Sequence, residues 1–246
     1  LTNIYILLKI FYILYLARNN LKLNYIKMDN NFTEVIQILN NKKINYWVCH
    51  GTLLGLARDG KLIEWDHDID IALWDDEVSK SKIISLMEKM NFKLREGFGV
   101  KNDLVSFDRA GGRIVDFTFL RKKIKNQEEI AFVSYYMPKN FIMKCLDGLS
   151  NADKYSGKYK IIIRSFAIFK SLFKILKNLV IRKNLFYKEY NLYTPTSFLK
   201  KTSFLPIQEL AIKAPSDYEG YLKFIYGNDW KIPKKNYVFP RNYKTF

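Results

Sequence analysis

Cysteine is scarce in this chain. Only Cys49 and Cys145 occur in 246 residues, and neither belongs to a CxxC or Cys/His cluster. That excludes a structural zinc site and a disulfide framework, and it predicts free thiols in a reducing compartment, the cytoplasm. Acidic residues are also few: 24 Asp and Glu stand against 41 Lys and Arg, a net charge of +17. This excess has two readings. One is an anionic partner, such as nucleic acid, a membrane surface or a phosphorylated substrate. The other is base composition, because the chain is crowded with Lys, Asn and Ile. Long apolar runs are missing as well. Residues 1–17 (LTNIYILLKIFYILYLA) come nearest, but Lys9 interrupts them, and a spanning helix needs roughly 20 clean residues. They lack a basic n-region and a small-residue cleavage site, so they make a poor signal peptide. The segment reads as a helix lying on a membrane, a helix packed on the domain, or a dispensable extension ahead of Met28, the first methionine. No repeats stand out.

What the chain does have is apolar material, 48% hydrophobic and 16% aromatic. That is enough for a core in one large domain, or in a domain with a helical appendage. Phe32, Val35, Ile36 and Leu39 fall at i, i+3, i+4 and i+7, a helix capped by Asn30 or Asn31. Tyr46–His50 reads as a buried strand. Gly51-Thr52 then starts a short helix through Leu53, Leu54 and Leu56. A glycine there lets backbone N–H groups approach a phosphate, and a helix N-terminus favours the anion.

Next, Asp66, Asp68 and Asp70 alternate with other residues before Ile71-Ala72-Leu73. On a strand such residues share one face, about 6.8 Å apart. Three carboxylates so close repel, and a buried carboxylate is costly unless paired or bound to a metal. The pattern points to metal-dependent phosphoryl chemistry. Asp75–Met90 reads as an amphipathic helix. Phe92–Glu96, Leu104–Arg109, Arg113–Leu120 and Phe132–Tyr136 read as strands. Within Arg113–Leu120, RIVDFTFL sets Asp116 among apolar neighbours, either as a third metal ligand or as an edge-strand aspartate facing water.

Residues 151–190 hold ten Lys and Arg against Asp153 and Glu189. Ile161–Ile181 is densely apolar, with lysines at 170, 174 and 177. One or two helices with a basic face are expected, either resting on anionic lipid or packed on the core with solvated lysines. In the tail, Pro206 and Pro215 interrupt the chain. Ser216 suits the cap of a helix through Tyr221, Leu222 and Ile225, with Glu219 in the capping-box position and Gly227 at its end.

Two of these stretches carry a resemblance. Gly51-Thr52-Leu53-Leu54-Gly55, Arg58, Ile63 and Trp65-Asp66-His67-Asp68-Ile69-Asp70 look like the signature of the LicD family. That family includes phosphocholine transferases of bacterial surface glycans and is similar to the fukutin and fukutin-related ribitol-phosphate transferases. The tail agrees: Leu205-Pro206, Ala214-Pro215, Tyr221-Leu222 and Tyr226-Gly227-Asn228-Asp229-Trp230 with Pro233 resemble the family's C-terminal pattern. This sequence departs from the family with Glu64 before the Trp-Asp, where proline is usual, and with His67, where many members have an acid.

The resemblance implies an α/β (α+β) fold of the nucleotidyltransferase, DNA polymerase β-like type: a mixed sheet flanked by helices, with a helical C-terminal part. It implies that Asp68, Asp70 and Asp116 bind two Mg²⁺, with Mn²⁺ as substitute, and carry the catalysis. Asp66 is then an outer residue at the start of the strand. Gly51, Thr52 and Arg58 would hold phosphate, and Tyr226, Asp229 and Trp230 would help bind substrate. The expected division is residues 1–27 as an apolar helix or dispensable extension, 28–145 as the catalytic core, and 146–246 as a basic helical region and YGNDW segment packing on that core. The expected reaction moves phosphocholine or a polyol phosphate from a CDP-activated alcohol donor to a sugar hydroxyl of a cell-surface glycan or glycolipid (lipopolysaccharide among them), releasing CMP. Peripheral contact with the inner face of the membrane is part of this reading, and nucleic acid is not an expected partner. The alternatives are nucleotidyl transfer from an NTP to a small molecule, protein or RNA, and a non-catalytic basic module that binds membrane or nucleic acid.

Overall fold

The computed structural model describes residues 28–95, 103–154, 159–182, 187–205, 207 and 210–235. The N-terminal apolar stretch, residues 1–27, lies outside the described residues. Elements run in the order α1 (Asn30–Asn41), β1 (Trp47–Val48), α2 (His50–Asp59), β2 (Asp68–Trp74), α3 (Lys80–Lys89), β3 (Lys93–Leu94), β4 (Leu104–Asp108), β5 (Ile114–Lys125) and β6 (Glu128–Pro138). Three helices follow, α4 (Phe141–Ser150), α5 (Lys160–Ser165) and α6 (Lys170–Arg182). Then come β7 (Tyr187–Pro195), β8 (Thr202–Leu205), β9 (Ile212–Pro215) and α7 (Tyr218–Tyr226).

Seven strands make one mixed sheet in the order β1-β2-β5-β4-β3, with β6 and β7 continuing from β5. The first half of β5 pairs with β2 in parallel and with β4 antiparallel, and its second half pairs with β6. Asp116 therefore sits on a central strand, not an edge strand. β8 and β9 form a separate antiparallel pair. This is the expected α/β architecture, a mixed sheet flanked by helices.

Alternation in the sequence explains the layering. Ile69, Ile71 and Leu73 of β2 and Val115, Phe117 and Phe119 of β5 are fully buried. They share one core with Phe32, Val35, Ile36 and Leu39 of α1 and with Ile83 and Met87 of α3. Elsewhere, α2 packs on β2 and α7 packs on α2. Tyr221, Leu222, Ile225 and Trp230 of the tail thereby join the same core.

Several local expectations shift. The cap of α1 is Asp29, whose carboxylate accepts the Phe32 N–H at 3.1 Å. Asn31 is instead buried, donating from Nδ2 to the carbonyls of Arg109 and Arg113 at 3.0 and 2.9 Å. The other oxygen of Asp29 accepts the Arg113 N–H at 3.0 Å. Together they clasp the turn through Gly111 (φ +93°) that joins β4 to β5. The tail helix is capped by Asp217, which accepts the Gly220 N–H at 3.0 Å, rather than by Ser216. His50 opens α2 instead of ending a strand, and α3 begins only after the Ser79 cap. The apolar stretch 161–181 divides into α5 and α6 around a tight turn at Ala167–Phe169. Among the described residues, no helix is long and apolar enough to cross a membrane.

Two features hold the frame behind the site. A Cβ at Gly55 would lie 2.7 Å from the Lys61 carbonyl and 2.8 Å from the Ile63 nitrogen, so α2 rests directly on the following backbone. Asp103, buried at the start of β4, accepts from the Ser134 N–H at 2.8 Å, Arg121 at 2.6 Å and Lys80 at 3.3 Å. Arg121 also donates to the Ser134 hydroxyl at 2.7 Å, and that hydroxyl donates to Asn191 on β7 at 2.6 Å. Gly55→Ala is expected to cost about 1–3 kcal/mol by overpacking. Asp103→Ala should cost about 2–3 kcal/mol, because the Ser134 N–H loses its acceptor while Arg121 and Lys80 can turn to water. Urea unfolding of both variants checks these values.

Candidate active site

The site forms where the start of α2 meets β2. The register sets Asp70 of β2 directly against Asp116 of β5, and Ser106 of β4 against Asp116 from the other side. Asp68 lies two residues before Asp70, on the same face. The backbone turns sharply into α2 at His50, a non-glycine residue at φ +44°, a conformation that stores strain. That turn points the Gly51 N–H at Asp70 Oδ2, 3.1 Å away. The Cys49 N–H donates to the Asp70 carbonyl at 3.2 Å. The Asp70 N–H donates to Thr52 Oγ1 at 2.8 Å. Thr52 is buried, and its oxygen ties α2 to β2.

Asp66 differs from its expected place. β2 begins at Asp68, so two of the three alternating acids project from the strand and Asp66 reaches in from the preceding loop. It is nonetheless part of the cluster. A Cβ at Gly51 would collide with Asp66 Oδ2, so the glycine makes room for this carboxylate. His67 is exposed.

The electrostatics follow from this crowding. Burial and a hydrogen bond with Asp68 raise the Asp66 carboxyl to about 6. Burial, then the charges of Asp68, Asp116 and Asp66, holds Asp70 well above the usual carboxylate range. Burial also raises Asp116, while its short contact with the Ser106 hydroxyl and the charge of Arg95 pull the other way. Nearby, burial and the same acids push the Cys49 thiol and the Tyr135 phenol up. Burial lowers His50 to about 4, so it stays neutral.

A cleft of about 200 Å³ opens beside the acids. Gly51, Arg58, Trp65 and Asp66 line one side, and Tyr226, Asp229, Trp230, Lys234 and Lys235 line the other. Two segments more than a hundred residues apart in sequence thus share one cavity. Arg58 is nearly buried, and its guanidinium grips the neighbouring Asp59 at 2.9 and 2.7 Å. Trp230 is buried, whereas Asp229 pairs with Lys234 at the rim.

Asp68, Asp70 and Asp116 offer hard carboxylate oxygens, the donors that magnesium and manganese prefer. Enclosed, mutually repelling carboxylates suit a divalent cation. The fit is one of donor chemistry alone: among the described residues, no group of three or more His, Cys, Asp or Glu is arranged so that it could hold a metal ion as it stands.

Sequence reasoning missed Ser106, Arg95 and Tyr135. Ser106 was within reach, because a hairpin centred on Gly111 puts residue 106 opposite residue 116. Arg95, whose N–H donates to the Ser106 carbonyl at 2.8 Å, and Tyr135 on β6 carry no motif.

Residues 43–156 match the family described as LicD/FKTN/FKRP, nucleotidyltransferase domain. Ribitol 5-phosphate transferase FKRP of Mus musculus and that of Homo sapiens are each 39% identical over 44 residues. That match spans 18% of this chain and 9% of either relative. Among solved structures, a lincomycin-bound lincosamide antibiotic adenylyltransferase, LnuA, aligns over 58% of this chain and 98% of its own, at 11% identity and a TM-score of 0.34. The likeness to that family is carried by residues 43–156, a little under half of the 246-residue chain.

Proposed function

We propose that this protein transfers a phospho-alcohol group, phosphocholine or a polyol phosphate, from a CDP-activated donor to a sugar hydroxyl of a glycan or glycolipid, with CMP as the leaving group. The observation that carries this reading is the shared cavity. The cleft between Arg58, Trp65 and the Tyr226–Lys235 segment is lined by Asp66 and Gly51, Asp66 interacts with Asp68 and Asp70, and the Gly51 N–H donates to Asp70, so a donor held in the cleft would have its phosphates toward the carboxylates.

In this mechanism the acceptor oxygen forms a bond to the phosphorus bearing the alcohol. The bridging oxygen–phosphorus bond breaks, CMP departs with the electron pair, and the acceptor proton passes to Asp70 or Asp116. Two magnesium or manganese ions, held by Asp68, Asp70 and Asp116, would supply the charge neutralisation that phosphoryl transfer chiefly needs. The backbone at Gly51 and the α2 N-terminus face the donor phosphates. Thr52 keeps Asp70 in register, and Arg58 and Lys234 add positive charge at the cleft. Trp65, Tyr226 and Trp230 give the nucleoside or alcohol an apolar wall.

The decisive experiment screens CDP-choline, CDP-ribitol, CDP-glycerol and NTPs with Mg²⁺, reading CMP and pyrophosphate. CMP release from one CDP-alcohol, lowered about 100-fold or more in Asp68→Ala and Asp70→Ala, is the expected result. Pyrophosphate release from an NTP would replace this reading with nucleotidyl transfer, and full activity in Asp68→Ala would refute the site.

A second prediction uses stability alone. A carboxyl whose folded pKa lies above its unfolded value near 4 binds protons more tightly in the native state. With Asp66 at about 6, its contribution is present below pH 4 and lost as pH rises to about 6. Without divalent ions, Tm should therefore fall across that window more in the parent chain than in Asp66→Asn. Added Mg²⁺ should raise Tm more at pH 7.5 than at pH 5. Scanning fluorimetry at pH 4, 5, 6 and 7.5 measures both effects.

A further inference from the structure

We propose that the helical segment α4–α6 binds the headgroup layer of an anionic lipid bilayer through the outer stripe of α6. Between residues 139 and 182 the chain has ten Lys and Arg and two Asp. α6 carries apolar residues on two faces. The inner one meets α4: Val180 packs with Met143 and Leu146, and buried Lys177 pairs with Asp147 at 2.5 Å. The outer one is Leu172, Ile175, Leu176 and Leu179, spaced i, i+3, i+4 and i+7, with relative exposures of 55%, 59%, 43% and 49%. Ile168 and Phe169 in the preceding turn and Ile161 and Ile162 of α5 are also exposed. Contiguous apolar surface on this scale marks an interaction site.

Charge selects the occupant. Both aspartates of the segment are already engaged, Asp147 with Lys177 and Asp153 with Lys170 at 2.6 Å. The chain flanking the stripe therefore presents a positive excess. Protein interfaces are depleted of lysine at their centres, whereas helices in the plane of a membrane combine a Leu/Ile/Phe face with Lys and Arg whose stems reach back to the headgroups. At 13 residues, α6 is roughly 20 Å long. That is too short to span a core of about 30 Å and suited to lying along its surface.

The test is co-sedimentation of the full chain with vesicles of phosphatidylcholine containing 30% phosphatidylglycerol, and with pure phosphatidylcholine. The parent should bind the anionic vesicles at least tenfold more tightly than the neutral ones. The triple variant Leu172→Glu/Ile175→Glu/Leu179→Glu should lose at least tenfold in binding, and the milder Leu172→Ser/Leu179→Ser at least threefold, with unchanged circular dichroism. No binding by the parent, or equal binding by parent and variants, overturns the proposal, the latter assigning lipid contact to another part of the chain. A concentration-dependent dimer of the parent that the triple variant abolishes, without change in vesicle binding, would make the stripe a contact between copies.

Discussion

The pairing of β2 with β5 is the constraint on which the site rests. It sets Asp70 opposite Asp116, an arrangement that both side chains resist electrostatically. The sheet keeps it because the alternate residues, Ile69, Ile71 and Leu73 against Val115, Phe117 and Phe119, fill the core on the other face. A one-residue slip would move these apolar side chains to the acid face and put carboxylates into the core. Hydrophobic burial thus imposes a register whose by-product is a cluster of repelling charges. The α2 N-terminus offsets part of that repulsion through the Gly51 N–H on Asp70, where the helix dipole is positive.

The same register depends on elements far from the acids. The turn between β4 and β5 is held by Asp29 and Asn31 of α1, and that turn decides which β4 residue faces Asp116. Asp103 ties β4 to β6 and, through Ser134 and Asn191, to β7. The polar clasp at one end of the hairpin and the ionic knot at the other leave Ser106 and Asp116 little freedom to shift along the sheet.

What was legible in the sequence was whatever alternation or spacing encodes. The Asp68/Asp70 strand face, the apolar setting of Asp116 and the α1 periodicity follow from local pattern, whereas the mixed sheet flanked by helices was implied by resemblance. The misplaced features involve a choice among adjacent polar residues or a contact between distant ones. Asp29 caps α1 ahead of Asn30 and Asn31 because its carboxylate also meets Arg113, and Asp217 displaces Ser216 at α7. Asp66 looked like a strand residue because the alternation extends one step beyond the strand itself. Arg95 and Tyr135 reach the acids only through the folded sheet. The YGNDW segment was legible as a helix and a turn by spacing, and as a partner of the site by resemblance alone. Its physical link is α7 packing on α2, which brings Tyr226 and Trp230 to the cleft.

The distribution of charge, more than its total of +17, bears on the chemistry. The cations nearest the cleft are partly spent on neighbours: Arg58 on Asp59, Lys234 on Asp229. A phosphate oxygen and a carboxylate 4 Å apart repel by about 4 kcal/mol at an effective dielectric of 20, and Asp66, which lines the cleft, interacts with Asp68 and Asp70 behind it. In the proposed reaction, a diphosphate donor would meet that repulsion against bare Asp68, Asp70 and Asp116. Cations standing between the two sets of oxygens would have to be compact enough to be shared by both. Divalent ions are that compact, whereas the rim cations Arg58 and Lys234 are each held on a neighbouring carboxylate. In the proposed reaction, a need for metal would follow from the repulsion that the sheet register builds in.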